Sequence, residues 1–206
     1  MNLQLQYISQ GATIEEHLTN IKRVLDAGCR WVQLRLKGCT SEEVRSAASR
    51  ASQLCAEAGA TFILNDYPTV VHELELDGVH LGKTDLPPDE ARVRLGSKII
   101  GGTANSLADC LALIEQKVDY IGLGPLRFTT TKKNLAPVLG VDGYRQIVGA
   151  LRDAGHQTPV VAIGGIVTDD LQALKETGVN GVAVSGLLSG ADVATRTTKI
   201  YKVFAL

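Results

Sequence analysis

Residues 31–66, WVQLRLKGCTSEEVRSAASRASQLCAEAGATFILND, contain one complete β-α-β unit. The runs WVQLRLK and TFILND have the length and the aliphatic and aromatic content of strands, and the segment between them has a helical pattern. Thr40 and Glu43 have the spacing of a capping box at the helix start, and Gly59 is placed to end the helix. Two strands joined by a helix predict a parallel pair in one sheet.

The same unit repeats along the whole chain. The other strand-like runs are LQLQYI (3–8), GVHLG (78–82), KIIGGTA (98–104), DYIGLGP (119–125), PVVAIGG (159–165) and GVAVSG (181–186). Eight β-α units in 206 residues, without a Pro/Ser-rich linker, predict an α/β protein: a single (β/α)8 TIM barrel domain over residues 1–206. A doubly wound open sheet is the alternative, although it usually has fewer strands between longer helices.

The composition argues against several classes of partner. Lys plus Arg number 21 and Asp plus Glu 22, and aromatic residues make up 4% of the chain, so we expect no nucleic-acid partner. The apolar run VVAIGGIV (160–167) is too short to span a bilayer, and MNLQLQYISQ (1–10) lacks the features of a signal peptide. Four cysteines without C-x-x-C or zinc spacing are typical of reduced thiols in a cytoplasmic protein. A homodimer through the outer helices is compatible with this composition.

Polar side chains gather in the second to fourth units. Gln33, Arg35 and Lys37 alternate with aliphatic residues and are expected to share one face of their strand, at the barrel mouth, where an anion would balance the cations. An exposed edge strand is the alternative. Asp66 ends the third strand and Asp85 follows the fourth, so we expect two carboxylates to approach each other there. Such oxygen ligands suit Mg²⁺, whereas two aspartates that only shape turns are the alternative.

The segment GPLRFTTTKKNLAPVLG (124–140) is too β-branched for a helix and too polar for a buried strand. It brings Arg127, Lys132 and Lys133 together with three threonines, and all of these donate to phosphate oxygens. Strands seven and eight end in glycines before helix starts, where free N–H groups bind phosphate. We therefore predict a phosphate site here, with a solvated surface turn as the alternative.

The inward positions of the middle strands are less informative. His80 is expected to point into the barrel, where a histidine is more often a satisfied interior residue than a base, and we assign it no role. Tyr120, Gly122 and Gly124 share one face. The glycines leave room for a flat ligand ring with Tyr120 as its wall, and simple close packing explains them equally well.

The chain resembles the thiamin phosphate synthase (thiamin-phosphate pyrophosphorylase) family. The runs QLRLK, LNDY, DGVHLGKTDLP, YIGLGPLRFTTTKK, VAIGGI and GVAVSG occur in that family's order and spacing over nearly the whole chain. The resemblance implies a (β/α)8 barrel that joins 4-amino-2-methyl-5-hydroxymethylpyrimidine diphosphate to hydroxyethylthiazole phosphate. Thiamin phosphate and diphosphate would form through a dissociative substitution assisted by Mg²⁺.

The resemblance also implies a role for each matching residue. The pyrimidine diphosphate would be bound by Gln33, Leu34, Arg35, Leu36, Lys37, Asn65, Thr103 and Lys132, among which Arg35, Lys37 and Lys132 would be catalytic. The thiazole phosphate would be bound by Thr129, Thr130, Thr131, Gly165, Ser185 and Gly186. Mg²⁺ would be bound by Asp66 and Asp85. We also expect residues 126–137 to close as a lid.

Three segments depart from the family pattern. Thr103 and Asn105 stand where the family commonly has serine and histidine, Gly186 stands where serine is frequent, and YISQ (7–10) lacks a common aspartate. One alternative function is a thiazole tautomerase of the same superfamily, which would not need both the metal pair and the cationic residues. The other is a non-catalytic binder of thiamin precursors.

Overall fold

Strand and helix alternate from end to end in the computed structural model, which describes residues 2–128 and 137–205. Within these residues the strands are β1 (Leu5–Ile8), β2 (Trp31–Leu34), β3 (Thr61–Asn65), β4 (Gly78–Leu81), β5 (Ile99–Ala104), β6 (Tyr120–Leu123), β7 (Val160–Ile163) and β8 (Gly181–Val184). The α-helices are α1 (Ile14–Asp26), α2 (Ser41–Glu57), α3 (Pro68–Glu73), α4 (Pro88–Leu95), α5 (Leu107–Glu115), α6 (Gly140–Asp153), α7 (Leu171–Glu176) and α8 (Val193–Phe204). Short 3₁₀ segments, Thr168–Asp170 and Gly186–Leu188, follow β7 and β8.

The eight strands close into a barrel. Each pairs in parallel with the next along the chain, and β8 pairs with β1, where Tyr7 lies opposite Val184. This closure confirms the predicted (β/α)8 barrel over the doubly wound sheet, in which two strands would remain at open edges.

The helix boundaries follow the predicted start and stop signals. Thr40 and Glu43 form both hydrogen bonds of a capping box at the start of α2. At the start of α1, Thr13 accepts from the Glu16 backbone N–H, but the Glu16 carboxylate accepts from the Ala12 N–H instead of the Thr13 N–H, so only half of a capping box forms there. Gly59 follows α2 with a φ of 62°, a left-handed conformation in which glycine has no steric penalty.

The second strand is shorter than the sequence pattern predicts. It ends at Leu34, so Arg35 and Lys37 lie in the following loop, and the predicted common strand face is wrong beyond Gln33. The loop places the Arg35 side chain half-buried and the Lys37 side chain in solvent. These two cations therefore reach the barrel mouth from a connection, which leaves them outside the rigid strand.

Successive strand residues face opposite sides of the barrel wall, so the hydrophobic core has one part outside the barrel and one part inside it. Outward-facing residues pack against the helices, and inward-facing ones fill the barrel, namely Ile8, Trp31, Ile63, Tyr120, Val161 and Ala183. Tyr120 is fully buried, with its ring edge-on to Trp31 at a centroid distance of 4.8 Å. A Cβ on Gly101 would lie 2.1 Å from Tyr120 Cζ. This glycine accommodates Tyr120 itself, so the ring belongs to the packed interior and does not form a ligand-facing wall.

No helix within residues 2–128 and 137–205 combines the length and apolar character required to cross a membrane.

Candidate active site

Two carboxylates meet at the mouth of the barrel, as the neighbouring strands predicted. The side chains of Asp66 and Asp85 hydrogen-bond to each other. Asp66 follows β3 with a φ of 70°, a left-handed conformation that aspartate tolerates better than most residues. Asp85 folds back so that Oδ2 accepts from the Gly82 N–H at 2.6 Å. Asp85 therefore shapes a turn and also faces the second carboxylate.

The pKa values of the two carboxyl groups are shifted in opposite directions. Burial raises the pKa of Asp85, and the neighbouring Asp66 charge raises it further. For Asp66, burial opposes ionisation, but hydrogen bonds from Asp85 and Lys37 outweigh it and lower the pKa. Lys37 Nζ lies 2.5 Å from Asp66 Oδ2. The Lys37 cation thus favours the ionised form of Asp66, and the resulting charge disfavours ionisation of the adjacent Asp85.

A polar layer lies beneath this pair, on the inner face of the barrel. Gln33 Nε2 donates to Asn65 Oδ1 at 2.8 Å, and both side chains are buried. The Gln33 Oε1 atom is also buried and has no hydrogen-bond partner among the described residues. Because a buried acceptor without a donor is costly, this oxygen marks a position where a ligand N–H would be stabilised.

His80 extends the polar layer. Its Nε2 lies 2.9 Å from Thr103 Oγ1, and its Nδ1 lies 3.0 Å from the Tyr120 hydroxyl. The His80 carbonyl oxygen also accepts from the Asp66 backbone N–H at 3.0 Å. His80 thus connects the barrel interior to the carboxylate pair and to Thr103.

Two cations and two cavities lie in the loops that follow the strands at this end of the barrel. In the described part of the chain, no carboxylate lies within ion-pair distance of the Arg35 guanidinium. The Arg35 backbone N–H donates to Ser9 Oγ at 3.0 Å. Arg35 and Lys37 border a cavity of about 230 Å³, and Asp85 and Thr103 border another of about 300 Å³. Asp85 thus faces one cavity directly, and Lys37, the ion-pair partner of Asp66, borders the other together with Arg35.

Leu34 and Leu36, which were expected to contact the pyrimidine substrate, have buried side chains in the core between barrel and helices. Only their backbone groups remain for such a contact.

The residues predicted to bind the thiazole phosphate are only partly described. Thr129, Thr130, Thr131 and Lys132 lie outside the described residues, as does Lys133. Gly165 has a φ of 71°, and its carbonyl oxygen accepts from Arg127 Nη1 at 2.8 Å. Gly186 is exposed at the start of a 3₁₀ segment. Gly165 and Gly186 thus follow β7 and β8 at the same end of the barrel as the carboxylates.

Arg127 has a structural partner. Its guanidinium forms a two-pronged ion pair with Asp170, with Nη2 2.7 Å from Oδ1. Asp170 also accepts from the Val167 N–H at 2.7 Å. Arg127 therefore connects the loop after β6 to the loop after β7, and in this arrangement it does not supply a free charge for a phosphate.

The chain is similar to known proteins over nearly its whole length. A sequence profile of thiamine monophosphate synthase matches residues 5–188. A thiamine-phosphate synthase of Bacteroides fragilis is 46% identical over 203 residues, which is 98% of this chain and 100% of that protein. The chain belongs to the thiamine monophosphate synthase family. It is accordingly an enzyme of the transferase class.

Two more members support the assignment to the thiamine monophosphate synthase family. A thiamine-phosphate synthase of Flavobacterium johnsoniae is 46% identical over 190 residues, covering 92% of this chain and 90% of that protein. The solved structure of a thiamine phosphate pyrophosphorylase from Pyrococcus furiosus superimposes with a TM-score of 0.84 at 30% identity, covering 98% and 96% of the two chains.

The structure gives two of the departures from the family pattern a physical explanation. Asn105 Nδ2 donates to the Gly124 carbonyl oxygen, so this side chain connects the ends of β5 and β6. Gln10, in the first-strand run without the common aspartate, accepts from Ser185 Oγ at 3.1 Å and donates to Ser189 Oγ. Gln10 therefore holds the loop after β8, and it engages the Ser185 hydroxyl.

Sequence reasoning missed Gln10 and His80 as site residues. Gln10 comes two positions after β1, so the general rule that chemistry lies at the carboxyl ends of barrel strands could have found it. His80 was recognised as an inward residue, but no local pattern indicates that Thr103 and Tyr120 converge on its two ring nitrogens.

Proposed function

We propose that this protein is a thiamin phosphate synthase, which joins the pyrimidine diphosphate to the thiazole phosphate and releases diphosphate. Family membership supports the reaction. The observation that carries it for this chain is the Asp66–Asp85 pair with Lys37, whose Nζ lies 2.5 Å from Asp66 Oδ2 and which borders one cavity together with the Arg35 guanidinium. A thiazole tautomerase, which would act on the thiazole phosphate alone, has no need for this combination.

The positive charge at the mouth would bind the diphosphate. Arg35 is half-buried and Lys37 borders the same cavity, so both cations can approach a ligand held there. Arginine donates to phosphate oxygens through a planar fork, and each bond to a charged oxygen is stronger than a neutral one. As the bond from the pyrimidine methylene carbon to the diphosphate oxygen breaks, negative charge accumulates on the leaving group, and these cations would stabilise it.

The carboxylate pair fits a divalent cation. Asp66 and Asp85 supply only oxygen ligands, and each carboxyl group shifts the pKa of the other because the two are close neighbours, as two ligands of one ion must be. Among the described residues, no group of three or more His, Cys, Asp or Glu side chains is arranged around a metal position. Mg²⁺ at this pair would keep positions for water and diphosphate oxygens, and it would supply further neutralisation of the leaving group.

The chain then needs only to position the second substrate. The thiazole nitrogen would donate its electron pair to the methylene carbon that the diphosphate leaves, forming the new C–N bond. No nucleophilic serine or cysteine is required, because substrate alignment and charge stabilisation supply the rate enhancement. Binding of the thiazole phosphate by Thr129–Thr131, Gly165, Ser185 and Gly186, and of the diphosphate by Lys132, stays a prediction.

The run of residues 124–140 contains Thr129–Thr131 and is called the threonine segment below. Its two ends are hydrogen-bonded to each other at the barrel rim. The Leu139 N–H donates to the Pro125 carbonyl oxygen at 3.0 Å, and the Gly140 N–H donates to Leu126 at 3.1 Å. The segment thus leaves and re-enters the barrel rim at one point. Closure of residues 126–137 as a lid, a cytoplasmic location and a homodimer likewise stay predictions.

The experiment that tests the function is a mixing assay. Purified protein with Mg²⁺ and both substrates is expected to form thiamin phosphate and diphosphate in equal amounts, and EDTA is expected to abolish both. If both substrates bind without product, the synthase proposal is wrong. Isomerisation of a thiazole phosphate alone would then identify a tautomerase, and its absence a non-catalytic binder.

Replacement of Gln33 by leucine tests the orientation of the pyrimidine. The variant removes the buried Oε1 acceptor, so we expect kcat/KM for the pyrimidine diphosphate to fall by about 10- to 100-fold. KM for the thiazole phosphate is expected to stay unchanged. The control is Gln4→Leu, which removes a glutamine that donates to the Phe204 carbonyl at 2.8 Å near the opposite end of the barrel. Equal effects of Gln33→Leu on both substrates would contradict the assignment.

A further inference from the structure

A chain of hydrogen bonds runs through the barrel interior to the candidate active site. Gln6 Nε2 donates to the Tyr120 hydroxyl at 3.2 Å. That hydroxyl lies 3.0 Å from His80 Nδ1, and His80 Nε2 lies 2.9 Å from Thr103 Oγ1. The four side chains come from β1, β6, β4 and β5, so the closed barrel alone brings them together.

The donor and acceptor roles along this series of hydrogen bonds follow from the chemistry of its groups. An amide nitrogen only donates, so the Tyr120 oxygen accepts from Gln6 and its hydrogen is available for His80 Nδ1. A neutral imidazole that accepts at Nδ1 carries its proton on Nε2, which then donates to Thr103 Oγ1. Once the Thr103 oxygen accepts this bond, its own hydrogen can point only towards another acceptor.

The packing holds each member in place. Gln6 and Tyr120 are fully buried and His80 nearly so. A Cβ on Gly101 would collide with the Tyr120 ring, and a Cβ on Gly122 would lie 3.1 Å from His80 Cε1, so both rings occupy space that glycines leave. Burial, the largest effect, raises the pKa of Tyr120 above its usual value although the Gln6 hydrogen bond lowers it. The hydroxyl therefore keeps the proton that it donates.

Thr103 is the last residue in this series of hydrogen bonds, at the end that faces a cavity. It is half-buried and borders the same cavity as Asp85, and among the described residues its hydroxyl has no hydrogen-bond partner besides His80. An acceptor that reaches this cavity, such as a diphosphate oxygen, would meet a hydroxyl whose hydrogen is already oriented outward.

We propose that Gln6, Tyr120 and His80 form a relay that orients the Thr103 hydroxyl as a donor to the leaving diphosphate. Gln6 and Tyr120 are positioning residues that act through His80 and do not touch substrate. The proposal rests on the synthase function, and it explains why threonine can stand where the family commonly has serine: the relay orients the hydroxyl, whichever of the two residues carries it.

A double-mutant cycle tests the relay. Thr103→Val removes the donor and is expected to lower kcat by about 10- to 100-fold. Tyr120→Phe is expected to lower kcat by about 5- to 10-fold in the parent protein, with KM for the thiazole phosphate unchanged. In the Thr103→Val background, Tyr120→Phe is expected to change kcat less than 2-fold, because the oriented hydroxyl is already absent. Equal factors in both backgrounds would overturn the proposal.

The control variant and a spectroscopic measurement separate the relay from general damage. Tyr201→Phe removes a hydroxyl that accepts from the Arg30 N–H at 3.2 Å, at the amino end of β2, and is expected to leave kcat unchanged. ¹⁵N NMR of the parent protein, at a pH where the imidazole is neutral, is expected to place the His80 proton on Nε2. A proton on Nδ1 would overturn the relay even if Tyr120→Phe does not fold. Failure of the synthase proposal is seen separately, as absence of product from the parent protein.

Discussion

Asp85→Asn is expected to lower kcat by about 10²- to 10³-fold, the loss typical of removing a preorganised group that stabilises transition-state charge. The same variant is expected to raise the stability of the metal-free protein. Ionising Asp85 beside Asp66 is unfavourable in the folded state, and asparagine keeps the side-chain shape without the charge. The group is partly solvated, which screens the repulsion, so we expect a rise in Tm of about 2 °C.

The raised pKa of Asp85 determines how the stability difference between the two proteins changes with pH. Because the folded-state pKa of Asp85 is raised, the stability associated with its protonated form is complete below the unfolded pKa and is lost as pH rises through the folded pKa. The Tm difference between Asp85→Asn and the parent protein should therefore be present at neutral pH and disappear in acid. Thermal unfolding in EDTA across this range measures it.

Magnesium supplies the decisive comparison. Addition of Mg²⁺ is expected to raise the Tm of the parent protein, since the ion would bind the folded carboxylate pair, and to have little effect on Asp85→Asn. Asp89→Asn is the matched control, because it removes an exposed carboxylate in the first turn of α4. It should leave kcat and the response to Mg²⁺ unchanged. Equal stabilisation of all three proteins by Mg²⁺ would contradict a metal site at Asp66 and Asp85.

The proximity of these two carboxylates could be predicted from sequence, for a physical reason. Parallel strands that follow each other in a barrel end at the same rim, so Asp66 after β3 and Asp85 after β4 must lie near each other once the topology is known. The topology itself depends on strand and helix periods and on stop signals such as Gly59. These are local properties, and a single sequence contains them.

The inner polar layer could not be predicted in the same way. Gln6 and Tyr120 are 114 positions apart, and their contact depends on the stagger of strands around the closed barrel. No local period encodes that stagger. Strand length was mispredicted at β2 for a related reason. Arg35 and Lys37 continue the alternating pattern of Gln33 past the last strand residue, Leu34, and only the neighbouring strands determine where pairing stops.

Gly124→Ala is expected to destabilise the fold by about 3 kcal/mol and to lower Tm by about 10 °C. A Cβ at this position would lie 2.2 Å from the Ile163 carbonyl oxygen, a backbone atom that cannot rotate away. That oxygen accepts from the Leu126 N–H at 3.0 Å and from the Tyr144 hydroxyl at 3.2 Å. Separating β6 from β7 would therefore strain both bonds, and with them the point where the threonine segment leaves the barrel.

The matched control, Gly149→Ala, is expected to change the stability of the protein in the opposite direction. Gly149 lies inside α6, and a Cβ there would meet no atom within 4 Å, so Gly149→Ala is expected to stabilise the protein by about 0.5–1 kcal/mol through helix propensity. Thermal unfolding of both variants measures the contrast, and assays well below the lowered Tm show whether KM for the thiazole phosphate rises in Gly124→Ala alone. A Tm for Gly124→Ala equal to that of the parent protein would show that the close approach of β6 and β7 is dispensable. An unchanged KM beside a lowered Tm would mean that this approach stabilises the barrel without orienting the threonine segment.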